Sequence, residues 1–167
     1  MKLRILILAL ALGTSAGAQA RDATSAWDSV AFEMNSWGQP LASWTVFRGG
    51  GGNWVETVRE GNTTFGKYTL VVHQVEAGDR GYGALLGILR NLPRQAPDYE
   101  ACRNSMTDMP YGTLRLTRGS TTTEIAWNAG CMDKPYVEFL DTLKSANELV
   151  GGWGKSGKVL RSEMHGQ

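Results

Sequence analysis

Hydrophobic positions along the chain fall into one unbroken run, then short alternating stretches, then two longer stretches of helical spacing. The unbroken run is Ile5–Leu12, where every residue is Ile, Leu or Ala. Lys2 and Arg4 precede it, and small residues ending in Ala16-Gly17-Ala18-Gln19-Ala20 follow. A positive head, a short apolar centre and an A-x-A end are the three parts of a cleavable secretory signal. They predict a leader over 1–20, cut near Ala20. The run is too short to span a bilayer, which takes about 20 residues.

A lead-in segment over 21–40 follows, in which Val30, Met34 and Trp37 stand at helical spacing and predict a short helix from Ser25 to Ser36. Three stretches rich in β-branched and aromatic residues predict strands at 43–48, 54–59 and 67–76, joined by glycine-containing connections. Asp79 fits a helix N-cap, and Tyr82, Leu85, Leu86, Leu89 and Leu92 form an apolar stripe behind it. Gly81, Gly83 and Gly87 weaken that helix, by about 1 kcal/mol each where interior. After a long connection over 93–112, alternating residues predict strands at 113–118 and 121–127 around a Gly119-Ser120 turn. Asp133 then caps a second helix, with Pro135 in its first turn, marked by Tyr136, Phe139, Leu140, Leu143 and Val150 and closed by Gly151-Gly152.

The expected fold is α+β. It has an antiparallel sheet of about five strands in βββα-ββα order, read as two ββα-like halves, with two helices packed on one face and one disulfide. A single domain spans 41–153, and residues 154–167 read as a polar flexible tail.

Charge narrows the partners. Losing Lys2 and Arg4 with the leader leaves 15 basic residues against 16 acidic ones, so the net charge passes from +1 to −1. Such a surface does not attract polyanions, so nucleic acid is not an expected partner. No second apolar stretch is long enough for membrane insertion of the mature chain.

The only cysteines are Cys102 and Cys131. In an oxidising compartment an even count predicts a disulfide, here closing a loop of 30 residues. Chain entropy gives such a bridge roughly 3.5 kcal/mol. The spacing is not C-x-x-C and no histidine cluster accompanies it, so neither a redox pair nor a metal site is expected.

Candidate chemistry is sparse. Gly81-x-Gly83 opens a helix after a strand, but the third glycine, Gly87, comes one position too late for a dinucleotide fingerprint. The run Gly49–Gly52 lacks the lysine of a phosphate-binding loop and reads as a hairpin tip. No cofactor is therefore expected. Of the two histidines, His165 lies in the tail and His73 in a strand beside Val71 and Val75, where a structural role fits. The carboxylates Asp98, Glu100, Asp108, Glu138 and Asp141 read as solvated loop and helix positions. Asn62-Thr63-Thr64 matches a glycosylation acceptor. Six tryptophans supply core, with a surface patch as the functional alternative.

No nucleophile–base pair or ligand cluster is assembled, so no catalytic residue is assigned. The expected function is a non-catalytic, exported interaction domain, periplasmic or secreted, whose partner could be another exported protein. Its candidate binding loop is Arg103, Asn104, Ser105, Met106, Thr107, Asp108, Met109, Pro110 and Tyr111, tethered at one end by Cys102 and at the other by a strand. The alternatives are a protease inhibitor presenting this loop and a small exported hydrolase using His73 with carboxylates. Between Cys102 and Cys131, a methionine-containing loop, a proline and a hairpin follow one another in an order that resembles the subtilisin-inhibitor family. That resemblance implies an inhibitory role for the loop. It covers only this segment: the family's second disulfide has no counterpart, and a long helix follows Cys131 here.

Overall fold

A computed structural model describes residues 27–59, 66–93 and 96–166. The expected leader, the first residues of the lead-in segment and the Asn62 acceptor lie outside these residues.

The described chain forms β1 (Ser29–Ser36), β2 (Gln39–Phe47), β3 (Gly51–Arg59), β4 (Tyr68–Glu76), α1 (Gly78–Leu89), β5 (Tyr111–Arg118), β6 (Thr121–Asn128), α2 (Lys134–Ser156) and β7 (Val159–His165). All seven strands join one antiparallel sheet in the order β6-β5-β1-β2-β3-β4-β7. Both helices pack on one face over a single core. No helix among the described residues is long and apolar enough to cross a membrane.

The α+β class, the antiparallel pairing and the disulfide stand, but the expected strand number and order do not. There are seven strands rather than about five, and the order is not two ββα halves. Strands β1 and β2 sit between the β3-β4 and β5-β6 pairs, so the two supposed halves never meet edge to edge. The helix expected over 25–36 gives way to β1. Val30, Phe32 and Met34 alternate with Ala31, Glu33 and Asn35, which is strand periodicity. That period prevails because β1 finds a pairing partner on both sides, β2 and β5. The tail expected to be flexible instead supplies β7, paired with β4. As an edge strand it buries almost no side chain, and so it leaves little hydrophobic pattern to read.

The register explains the core. Phe32 lies opposite Trp44, Trp44 opposite Trp54, and Trp54 opposite His73. On the other side Gly112 lies opposite Trp127. An aromatic row therefore crosses the sheet from β6 to β4. Phe32 stacks on Trp44 at 5.5 Å and on Trp127 at 5.4 Å between ring centres. Gly112 makes room for this row, since a Cβ there would sit 1.8 Å from the Glu33 carbonyl oxygen and 2.9 Å from Trp127 Cζ2. The opposite face is open and mostly polar. Across it Arg115 bridges Glu33 at 2.7 Å and Glu124 at 2.6 Å.

Helix α2 passes diagonally over the row. Tyr136, Phe139, Leu143, Ala146 and Val150 form its buried stripe. Gly151-Gly152 does not stop it, because small residues are needed where it crosses Trp54: a Cβ on Gly154 would lie 2.5 Å from Trp54 Cβ. The Gly49–Gly52 run is likewise structural. Gly49 and Gly50 turn with positive φ, and a Cβ on Gly50 would fall 2.2 Å from the Gly78 carbonyl oxygen at the start of α1.

These two kinds of glycine predict opposite effects. Gly87 in α1 has nothing within 4 Å of a built Cβ, so Gly87→Ala is expected to stabilise the protein by about 0.5–1 kcal/mol. Gly154→Ala is expected to destabilise it by about 1–3 kcal/mol, because backbone must shift to admit the methyl. Urea unfolding of the two variants checks both signs.

Candidate functional site

The disulfide joins Cys102 to Cys131, with Cα atoms 5.9 Å apart. It ties the start of the 103–111 segment to the turn that follows β6. Further bonds run along the same seam. Met106 N donates to Gly130 O at 2.7 Å, Met132 N to Asn104 O at 2.8 Å, and Ala129 N to Pro110 O at 2.8 Å. Ser105 and Cys131 form an isolated antiparallel bridge. The segment is thus laid against 128–133 as an irregular ribbon, with its backbone held at both ends.

Asp133 anchors the first half. It occupies the N-cap position of α2, as the sequence predicts, yet makes no side-chain cap bond. Its carboxylate instead accepts from Arg103 N at 2.9 Å and from Asn104 Nδ2 at 2.8 Å. The Arg103 backbone donor first, and Asn104 second, hold this carboxyl below the usual aspartate range. A depressed folded-state pKa contributes stability that is present above the unfolded-state value, about 3.9, and lost as pH falls through the folded one. The thermal unfolding midpoint of the wild type is therefore expected to fall on acidification below about pH 4, and Asp133→Asn is expected to flatten that part of the profile.

The nine expected loop residues divide into two sets. Arg103 to Asp108 are exposed, with Met106 at 50 % and Asp108 in the left-handed region at φ 64°. Met109 and Pro110 turn inward, and Tyr111 enters β5, its hydroxyl accepting from Gly38 N at 3.2 Å. Met109 and Pro110 form one wall of an apolar groove of about 380 Å³. Its floor is the sheet at Phe32, Met34 and Trp127, and its other wall is α2 at Leu140, Leu143 and Lys144. A volume of this size, lined mainly by apolar side chains with charges at the rim, falls within the range of ligand pockets.

The sequence did not reveal this groove. Its elements come from β1, β6 and α2, which meet only through the sheet order. One signal was available: Leu140 beside Phe139 and Leu143 makes the α2 stripe wider than one contact needs. On the other flank of the disulfide lies a polar hollow of about 450 Å³, lined by Asp98, Arg103, Asp133, Lys134 and Tyr136 among others. Cys102, Cys131 and Asp133 bring donor atoms within 4.8 Å of one another, but the two sulfurs are bonded together and present no thiolate to a metal.

His73 lies elsewhere. Its ring is packed 5.2 Å from that of Trp54, its Nε2 is 3.6 Å from Glu56 Oε2, and the residue is 8 % exposed. Trp44, Trp54 and Trp127 are likewise buried, so these three make no surface patch; Trp37 is exposed at a hairpin turn. Glu138 faces solvent beside Lys134 at 3.9 Å, and Asp98 accepts from Glu100 N. No family model, no curated protein and no solved structure matches the chain.

Proposed function

We propose that this chain is an exported, non-catalytic interaction domain, released from its leader near Ala20. Its binding face is the tethered loop 103–111 together with the apolar groove beside it, and its ligand is a polypeptide of another exported protein. The observation that carries this reading is the continuity of the two features. Residues 106–108 project from a backbone pinned on both sides, while Met109 and Pro110 of the same loop wall an apolar groove. A pre-organised loop loses little entropy on binding, and an adjoining apolar slot can seat one anchoring side chain. The disulfide supports export, because such bonds persist in oxidising compartments.

The test places a photo-crosslinking residue at Thr107, at Lys144 or at the remote Arg90, in the full-length chain expressed in an exporting host. One shared adduct from the first two positions, absent from the third and lost on Leu140→Arg, is the expected result. Adducts that do not differ between Thr107 and Arg90 would overturn the reading.

Exposed Met106 at the crown of the loop favours a narrower version, in which the loop occupies a protease active site. Titration against subtilisin- and trypsin-type proteases decides it, and an absence of inhibition at micromolar protein removes it. The hydrolase reading needs an accessible His73, and its burial against Trp54 leaves that reading without support.

A further inference from the structure

The sheet ends in two edges, β6 and β7. A free edge presents unpaired backbone N–H and C=O groups, which proteins usually blunt with proline, inward charges, bulges or a covering element. In β6 the one charged side chain, Glu124, is engaged by Arg115, and Thr121, Thr122 and Thr123 line the exposed half. The edge of β7 is different. Like β6 it holds no proline, and its one irregularity is a bulge at Leu160, between Val159 paired with His73 and Arg161 paired with Val72. Three of the most exposed apolar side chains of the described residues stand on this one strand: Val159 at 49 %, Leu160 at 53 % and Met164 at 67 %.

The order of residues in β7 is also self-complementary. Two copies laid antiparallel about Ser162 would place Arg161 opposite Glu163 of the other strand, and Leu160 opposite Met164. Arg161 and Glu163 already share one sheet face, 3.2 Å apart, so pairing would gather two arginines and two glutamates into one alternating cluster. Leu160, the bulged residue, would come beside Met164 of the other strand and add apolar contact.

We propose that β7 is the seam of a homodimer, in which two copies of this chain pair β7 to β7 about a two-fold axis at Ser162 and join their seven-stranded sheets into one. The interface is isologous, as two-fold symmetry requires. It lies on a different element from loop 103–111, so each protomer keeps its binding face.

Two measurements test it on the purified native chain. Sedimentation equilibrium is expected to give twice the chain mass at high micromolar protein, with Arg161→Glu returning the monomer and R161E/E163R restoring the dimer. Ser162→Cys tests the register. Paired residues stand about 4.5–5.5 Å apart at Cα in an antiparallel ladder, within the reach of a disulfide. Both native cysteines are already bonded, so the new thiol is the only one free. Ser162→Cys is expected to give a covalent dimer on mild oxidation roughly tenfold faster than Leu160→Cys, whose twin lies about four residues away along the seam. A monomer at every attainable concentration, or equal crosslinking of the two variants, overturns the proposal.

Discussion

Trp44→Ala is expected to destabilise the protein by about 3–5 kcal/mol, a large share of an ordinary domain's total of about 5–15 kcal/mol. Trp44 is 1 % exposed at the centre of β2. It stacks on Phe32, lies opposite Trp54 in the register, and donates from Nε1 to Asn147 Oδ1 at 3.1 Å. Truncation would open a cavity in the middle of the aromatic row, where neither the sheet nor α2 can collapse. It would also leave the Asn147 oxygen without this donor. Trp44→Phe separates the two effects. It keeps a ring in the stack and removes the hydrogen bond, so a smaller loss, on the order of 1–2 kcal/mol, is expected. Urea unfolding monitored by circular dichroism measures both. If Trp44→Ala cost less than about 1 kcal/mol, the row would not be the keystone that its burial implies.

Of this row the chain shows only the apolar, aromatic character of its strands, not the register that aligns them. Strands β3 to β6 and both helices stand close to where the hydrophobic pattern puts them. Their patterns are strong because each buries one face, and the register then follows from alternation. Over β1 the local pattern is ambiguous, because Val30, Met34 and Trp37 satisfy a helical period while Val30, Phe32 and Met34 satisfy a strand period. Only the long-range pairing with β2 and β5 decides between them, and a local pattern cannot contain that information. Strand β7 carries no burial pattern to read. Backbone pairing holds it, and both of its faces meet solvent.

The site was half legible. The disulfide and the exposure of residues 103–108 follow from cysteine count, the expected oxidising compartment and polarity, whereas the groove depends on β1 lying beside β5 and bringing Met34 and Phe32 next to Trp127 and Leu140. Asp133 shows a finer limit. Its place before a proline-led helix predicted a cap, and it takes the cap position, but the carboxylate is drawn to two donors on a loop 29 and 30 residues earlier.

Removing the disulfide by Cys102→Ser with Cys131→Ser is expected to cost more than the roughly 3.5 kcal/mol of entropy regained by a 30-residue loop in the unfolded chain. The two cysteines differ in surroundings. Cys131 is 1 % exposed and belongs to the core, while Cys102 packs at its margin. A serine at 131 therefore adds the burial of a hydroxyl to the lost cross-link, and Cys131→Ala with Cys102→Ala isolates the entropy. Without the bridge the ribbon keeps only backbone bonds and the two bonds to Asp133, whereas the strands pair independently of it. The sheet is thus expected to survive in the double alanine variant, with its unfolding midpoint shifted to lower urea, while residues 102–109 lose most of their protection from hydrogen exchange. If the face acts as proposed, crosslinking from Thr107 falls with that protection, whereas crosslinking from Lys144, on the helix wall of the groove, falls less. A double variant as stable as the wild type, with the loop equally protected, would mean that the hydrogen bonds along 128–133 suffice to hold the loop and that the bridge adds nothing to it.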